Sequence, residues 1–494
     1  MGSNVSAAVL RPAVLPPTVR RLAAALVVAL AAAACATNPV TGRQQLALIS
    51  EQQEIQLGRQ TDQQVVQQLG LVDDAELQRY VETVGKRLAA DSERPDLPWT
   101  FRVVDDPSVN AFALPGGFIY LTRGIVTHLN NEAEMAAVLG HEIGHVTARH
   151  SVSRISQSQL ASLGLVLGSI FVPELRNYGD LAQTGLQLLF LKYGRDDERQ
   201  ADDLGLRYML DDGYDPRQMP AVFETLARVS QVQGQGRLPA WLSSHPAPEA
   251  RAERISDEVA AAVAAAGPGE IDRREYLAQV DGLVFGENPR EGFFRGNTFY
   301  HPELAFQITF PPGWQVSNQR QAVGAISPNN DAVVVLSLAG QGTPANAASQ
   351  FFGQPGLARG NPWRGEIGGM EAVAAEFQVQ QQQGVLQGLA AFVEHGGRTY
   401  QLLGYSAANR WGAHDRTVAA SVDTFRRVRD PEVLNVEPRR IDVVTLPSAM
   451  TLREFARRYP STVDLTTLAL INQVNADTRL EAGLEVKRVV GGPR

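Results

Sequence analysis

Polar and apolar positions first alternate with a helical period. Glu51 to Gly70 carries Ile55, Leu57, Val65, Val66 and Leu69 at helical spacing, and Leu77 to Ala90 repeats the pattern, so two amphipathic helices are predicted. Trp99 to Val104 alternates like a strand and Phe118 to Leu121 is a second β-rich run; Pro115-Gly116-Gly117 marks a tight turn before it. Glu132 to Ser156 reads as one long helix, Asp196 to Asp203 as a charged helix, and Pro216 to Val232 as another. Two runs, Leu160 to Val172 and Leu181 to Leu191, are strongly apolar. Pro173 and Glu174 stop the first at about thirteen residues, short of the ~20 that span a bilayer, and the second is also short, so both are read as buried or surface-apolar helices near the active site, a membrane-dipping hairpin being the other reading.

From Phe299 onward the period changes to two. Phe306 to Phe310, Ala332 to Leu338, Ala372 to Val379, Ala390 to Val393 and Tyr400 to Tyr405 read as strands, closed by a helix from Asp415 to Val428. One antiparallel sheet with flanking helices, an α/β sandwich, is predicted. After Asp430-Pro431 come a strand at Asp442 to Thr445, helices at Thr451 to Arg458 and Leu465 to Gln473, and a strand at Leu484 to Val489. The expected class is α+β: a mainly helical unit over residues 36–285, the sandwich over 290–430, and a βααβ unit over 438–494.

Composition narrows the function. With 494 residues and a formal net charge of −8, the chain offers no basic stripe for a phosphate backbone, so nucleic acid is an unexpected partner. Residues 1–34 resemble a secretory signal: Arg11, Arg20 and Arg21 precede an apolar run from Leu22 to Ala34. The lone cysteine, Cys35, follows small residues as the acceptor of a bacterial lipoprotein box does. Ala32 stands where such boxes favour leucine, and plain secretion is the other reading of this segment. Ala36 after the cysteine resembles lipoproteins sent to the outer membrane of a Gram-negative envelope. The expected location is periplasmic, with membrane attachment by lipid only.

The chemistry is concentrated at His141-Glu142-Ile143-Gly144-His145. Two imidazoles four apart stack on one helix face, and a glutamate one residue on, about 100° around, reaches a water beside a shared metal ion. Three protein ligands and one open position are wanted. A third histidine at the H-x-x-G-x-x-H spacing is excluded, because Ala148 and Ser151 occupy the required positions. His150 misses the position by one residue and is expected to point to the far side of the helix; it is read as structural. Glu198, in Glu198-Arg199-Gln200-Ala201-Asp202, is the better third ligand. Asp202, one turn further on, is placed to accept from the other nitrogen of a ligating imidazole.

His141-Glu142-x-x-His145 with Glu198-x-x-Ala201-Asp202 resembles the zinc metallopeptidases that include HtpX, the CAAX prenyl endopeptidases and the BepA-like proteins. Asn38-Pro39-Val40-Thr41-Gly42, the segment Asn110-Ala111-Phe112-Ala113-Leu114-Pro115-Gly116-Gly117, and Ser244-His245-Pro246 with Arg251 match as well. The resemblance covers roughly residues 36–260; the helical repeats of BepA-like proteins are not found in the C-terminal half. It implies one Zn²⁺ per chain held by His141, His145 and Glu198, Glu142 as general base, and Asp202 in support. It also implies that His245 approaches the metal, stabilising an oxyanion or filling the open position at rest.

Peptide-bond hydrolysis without a covalent intermediate is the expected reaction. The extended segment Asn110, Ala111, Phe112, Ala113, Leu114 would pair with substrate backbone as an added strand, favouring unfolded polypeptide. Misfolded or misassembled envelope proteins are the expected substrates. A competing reading is a mainly non-catalytic assembly factor for outer-membrane proteins, its site closed by His245 and its partners the outer-membrane assembly machinery. The last unit resembles a LysM module in Thr451-Leu452, Leu468 and Asn472, which would bring peptidoglycan as a partner. Ser448-Ala449-Met450 replace its usual Gly-Asp, so a packing unit without glycan binding fits equally well.

Overall fold

The computed structural model describes residues 35–158, 192–233, 241, 244–245, 248–381 and 384–492. The signal segment, both apolar runs and Pro246 lie outside the described residues. No helix among the described residues is long and apolar enough to cross a membrane. The fold mixes helix and sheet.

The first predicted helices form at Glu51–Leu69 and Ala75–Ala90. Ser50 opens the former with a capping box shared with Gln53, and Asp74 accepts two amides at the start of the latter. Three short strands follow. Thr100–Val104 pairs in parallel with Phe118–Thr122, which pairs antiparallel with the edge strand Ala111–Leu114. Behind them runs the motif helix, Glu132–Thr147, started by Asn131, whose Oδ1 accepts from Glu134 N; all sixteen of its residues are buried. The helix Arg195–Asp211 crosses it.

The approach of these two helices is made by missing side chains. An added Cβ at Gly205 would stand 2.9 Å from His141 N, and one at Gly144 would stand 3.0 Å from Ala201 O. Backbone therefore meets backbone, which carries Glu198 up to the motif histidines. On an open helix, alanine in place of glycine gains about 0.5–1 kcal/mol. At this crossing Gly205→Ala is expected to lose about 1–3 kcal/mol in urea unfolding instead, and a gain would show that the helices separate freely.

Residues 293–427 depart from the expected single sheet. A long antiparallel sheet runs in the order Leu357–Arg359, Met370–Gln381, Gly384–His395, Arg398–Ala407, Ala332–Gly340, Ala322–Ile326, Gln315–Gln319, and Trp363–Ile367 also pairs with Met370–Gln381. A second sheet of four strands is built from Phe293–Arg295, Thr298–His301, Phe306–Thr309 and Arg426–Arg427. Phe299, Phe306 and Ile308 of the small sheet share a core with Val334, Leu402 and Val418. On the other face Ala348 and Phe352, from the helix Pro344–Phe352, cover Ala375, Phe377 and Phe392. The predicted last helix stops at Val422, and Phe425 then folds into the core ahead of the closing strand. That helix was overlong in the sequence reading because apolar residues continue past its end.

The last unit has the expected βααβ order. Arg439–Thr445 pairs antiparallel with Glu485–Gly491 around the helices Leu452–Arg458 and Leu465–Ile471, with a small bridge of Met450–Thr451 to Arg479–Leu480 between. It is not packed as a separate bead. Ile441, Phe455, Leu468 and Val489 belong to the same apolar core as Leu77, Ile125, Met135 and Leu139. Backbone continues the join: Phe285 N donates to Arg439 O, and Ile441 N to Leu283 O.

Polar groups seal this seam beside the start of the motif helix. Lys487, fully buried, donates from Nζ to Thr127 O and Leu129 O at 2.8 Å each, and Gln473 Nε2 donates to Glu134 Oε2 at 2.8 Å. Burial holds the Lys487 ammonium well below the usual lysine range. His128, also buried, donates from Nδ1 to Gly124 O, and burial lowers its pKa to about 4 from 6.5. Since the folded value is the lower, the native state holds fewer protons between the two. Stability is fully present above pH 6.5 and falls as pH drops toward 4, by up to about 3 kcal/mol. His128→Leu is expected to flatten that slope in urea midpoints taken from pH 7 to 4.5; an unchanged slope would assign it to other groups.

Candidate metal centre

The motif helix does not run to Ser156 as its periodicity suggests. It ends at Thr147, and Arg149 adopts a left-handed conformation at φ 58 before a new helical turn begins at His150. That backbone is unusual for a bulky side chain, so its surroundings must hold it. Arg149 Nε meets Glu54 Oε2 at 3.0 Å, and Arg94 binds the same carboxylate at 2.9 Å while donating to Val146 O at 3.0 Å. Ala148 O accepts from Asn38 Nδ2 at 3.1 Å. The Asn38 to Gly42 segment therefore caps the motif helix, with Asn38 Oδ1 also accepting from Val40 N and Thr41 N.

The break corrects the placement of His150. Instead of the far side, its Nδ1 lies 3.0 Å from Nδ1 of His145. Sequence periodicity missed this because a single residue with positive φ resets the helical phase.

His141, His145, Glu198 and His245 converge, each offering one ligand atom, with those atoms all within 4.8 Å of one another and every residue buried. Nε2 of His141 and Nε2 of His145 face each other at 3.0 Å. Nδ1 of His141 lies 3.0 Å from Asp202 Oδ1, so Asp202 accepts from it where the sequence placed it. With Nδ1 protonated, the imidazole presents a bare lone pair at Nε2. A second bare nitrogen facing it at 3.0 Å would repel it unless a cation lay among them, and an N₃O donor set suits a borderline-soft divalent ion such as zinc. The residues fit the metal.

His245 closes the group. Its Nδ1 is 2.9 Å from Glu198 Oε1 and 3.2 Å from His141 Nε2, and its Nε2 is 3.6 Å from Glu142 Oε1. Trp241 stacks on it at 4.9 Å between ring centres, and Tyr193 stacks on His145 at 3.9 Å. Arg251 enters from the helix Pro248–Ala266, with its guanidinium over the Phe223 and Trp241 rings. It donates to Asp202 through Nε at 3.0 Å and Nη2 at 2.5 Å, and Nη1 stands 2.9 Å from Glu198 Oε2. The sequence offered Arg251 as part of a matching segment without a role. No local pattern discloses that one arginine neutralises two carboxylates on another helix.

Electrostatics follow from burial and these partners. Burial alone would raise the Glu198 carboxyl, but His245, His145 and Arg251 outweigh it and hold it well below the usual range. Asp202 is likewise desolvated and likewise held down, by Arg251 and His141. Glu142, fully buried with neither oxygen hydrogen-bonded among the described residues, is raised by desolvation against the pull of His245 and His141. Burial holds His145 well below the ordinary imidazole value. His245 feels burial in the same sense, but the Glu198 and Glu142 charges reverse it and raise its pKa. Asp202 meets two guanidinium groups, Arg251 and, at 3.4 Å, Arg254, whereas Glu198 meets Arg251 alone among the described residues.

Ala111–Leu114 is the edge of its sheet, packed beside the motif helix, with all four residues buried. Asn110 precedes it, its amide N–H held by Thr122 Oγ1. Cys35 begins a short strand that pairs antiparallel with Gln44–Leu46.

The model of peptidase family M48 matches residues 75–259. A mitochondrial metalloendopeptidase OMA1 of Arabidopsis thaliana is 35% identical over 38% of this chain and 37% of its own length. Beta-barrel assembly-enhancing proteases of Yersinia pestis and Escherichia coli (strain K12) are 32% and 30% identical, over 43% and 44% of this chain and 45% of each relative. The chain thus spans less than half the length of these curated relatives.

Proposed function

We propose, on the premise that residues 75–259 are a peptidase family M48 domain, that this chain is a zinc-dependent endopeptidase. The observation that carries the reading is the convergence of His141, His145, Glu198 and His245 beside a buried, unpartnered Glu142. The metal would be held by His141, His145 and Glu198. When bound, zinc supplies Lewis acidity, which acidifies water and polarises a carbonyl.

The chain's own groups do the rest. Asp202 fixes His141 in the tautomer that leaves Nε2 free. Glu142 takes a proton from the attacking water and returns it to the leaving amine; desolvation makes it a stronger base than an exposed carboxylate. Substrate backbone adds to the free edge of Ala111–Leu114, which selects extended, unfolded segments. His245 lies where an incoming carbonyl would have to sit, so the described arrangement is a closed one, and opening requires it to withdraw.

The substrates we propose are misfolded or misassembled polypeptides of the cell envelope, reached from a periplasmic position with Cys35 lipidated at the outer membrane. The support is the signal-like N-terminus and the similarity to beta-barrel assembly-enhancing proteases. The burial of His245 inside the cluster favours a second reading, an assembly factor whose site is mostly shut. Purified protein should carry one zinc per chain, lose cleavage of an unfolded envelope protein on chelation, and regain it with zinc. Metal-free protein cleaving equally well would overturn the enzyme reading. Rescue of every envelope phenotype by Glu142→Gln would favour the assembly factor.

A further inference from the structure

Ligating imidazoles need an acceptor at their second nitrogen, and among the described residues a carboxylate serves only one of the two on the motif helix. His141 has Asp202. For His145, we propose that His150 is the positioning residue: a neutral imidazole that accepts from His145 Nδ1–H and so turns its Nε2 toward the metal. The inference rests on the zinc reading above.

The proton assignment along this chain of contacts closes without conflict. His145 Nδ1 and His150 Nδ1 are 3.0 Å apart, so one of them donates. His150 Nε2 lies 3.0 Å from Gln200 Oε1, which as a carbonyl only accepts, so Nε2 carries the His150 proton and its Nδ1 is the acceptor. The proton between the two rings therefore belongs to His145 Nδ1, and His145 Nε2 is left bare. That nitrogen faces His141 Nε2 at 3.0 Å inside the ligand cluster.

The arrangement is held from both sides. Gln200 sits on the helix that carries Glu198, two residues on, so the relay ties the ligand helices together at a second point. Tyr193 lies flat on the His145 ring and bonds through its hydroxyl to Ser151 Oγ at 2.8 Å, fixing the plane in which Nδ1 must donate. His150 reaches its place only because Arg149 breaks the helix, and the Glu54, Arg94 and Asn38 contacts maintain that break.

The test measures zinc affinity by chelator competition on the full chain, with apo-state unfolding recorded alongside. His150→Leu removes the acceptor, and His150→Asn offers Oδ1 near the place of Nδ1. Weakening of zinc binding by about 10–100-fold is expected for leucine, with asparagine restoring most of it. In zinc-loaded protein, ¹⁵N spectra should show His145 protonated at Nδ1 in wild type and in the asparagine variant. Equal loss in both variants would make His150 a packing residue, and no loss in either would end the proposal. Should His150→Leu fail to fold, Gln200→Leu carries the same test: it frees the His150 tautomer, and unchanged zinc affinity would count against the relay. If wild type binds no zinc, the enzyme reading itself fails, which these variants alone cannot produce.

Discussion

Glu142→Gln is expected to lower peptide-bond cleavage by about 10²–10⁴-fold, the range that a positioned acid–base group contributes, while zinc content stays at the wild-type level. The carboxylate is fully buried and neither oxygen has a hydrogen-bond partner among the described residues. Its nearest charged neighbour in the site, His245 Nε2, stands 3.6 Å away. A desolvated carboxylate without partners is costly to the fold, and an amide of the same shape carries no charge to desolvate. Activity should therefore collapse while resistance to urea holds or rises. That pairing separates a catalytic role from a structural one, for a structural glutamate would lose both together. Cleavage retained in a preparation free of other proteases would remove Glu142 from the mechanism.

The second large effect falls on Arg251. Arg251→Met takes away the guanidinium that meets both Glu198 and Asp202, leaving Asp202 with only the more distant Arg254, at 3.4 Å, and Glu198 with no guanidinium among the described residues. Breaking a buried pair this way costs about 3–5 kcal/mol, so the metal-free variant should unfold at clearly lower urea than wild type. Zinc should recover part of the loss, because it brings positive charge back to Glu198, and the stabilisation gained on adding zinc should exceed that of wild type. Arg251→Lys should fall between, since an ammonium cannot span two carboxylates and lie flat between Phe223 and Trp241. Equal urea midpoints for Arg251→Met and wild type in chelator would show that something else neutralises the pair.

What the chain discloses before folding is what repeats locally. The four-residue spacing of His141 and His145 is a property of one helix, and Glu198 with Asp202 of another, so those residues could be placed by period alone. The strands Met370–Gln381 and Arg398–Ala407 are legible as apolar runs of strand length. Trp363–Ile367 and Gln315–Gln319 are not, because they carry too few buried residues to leave such a run. Contacts made by residues far apart in sequence were equally hidden. Asn38 on Ala148 O, Arg251 on Asp202 and Lys487 on Thr127 O each join segments with nothing in their own neighbourhood to announce the partner. Gly205 reads as a weakness in a charged helix until the opposing backbone is seen.

The seam at Lys487 has a consequence in time. Lys487 and Thr127, whose carbonyl it binds, are 360 residues apart. At a synthesis rate of about 5–20 residues per second, the carbonyls that precede the catalytic helix wait roughly 20–70 s for their donor. From the point where Glu198 and His245 have been made, the chain holds the proposed ligands and general base, yet the packing that seats the helix is unfinished. For the endopeptidase proposed above, the helix is seated only once Lys487 has been made, which keeps a growing chain from acting on its neighbours before then.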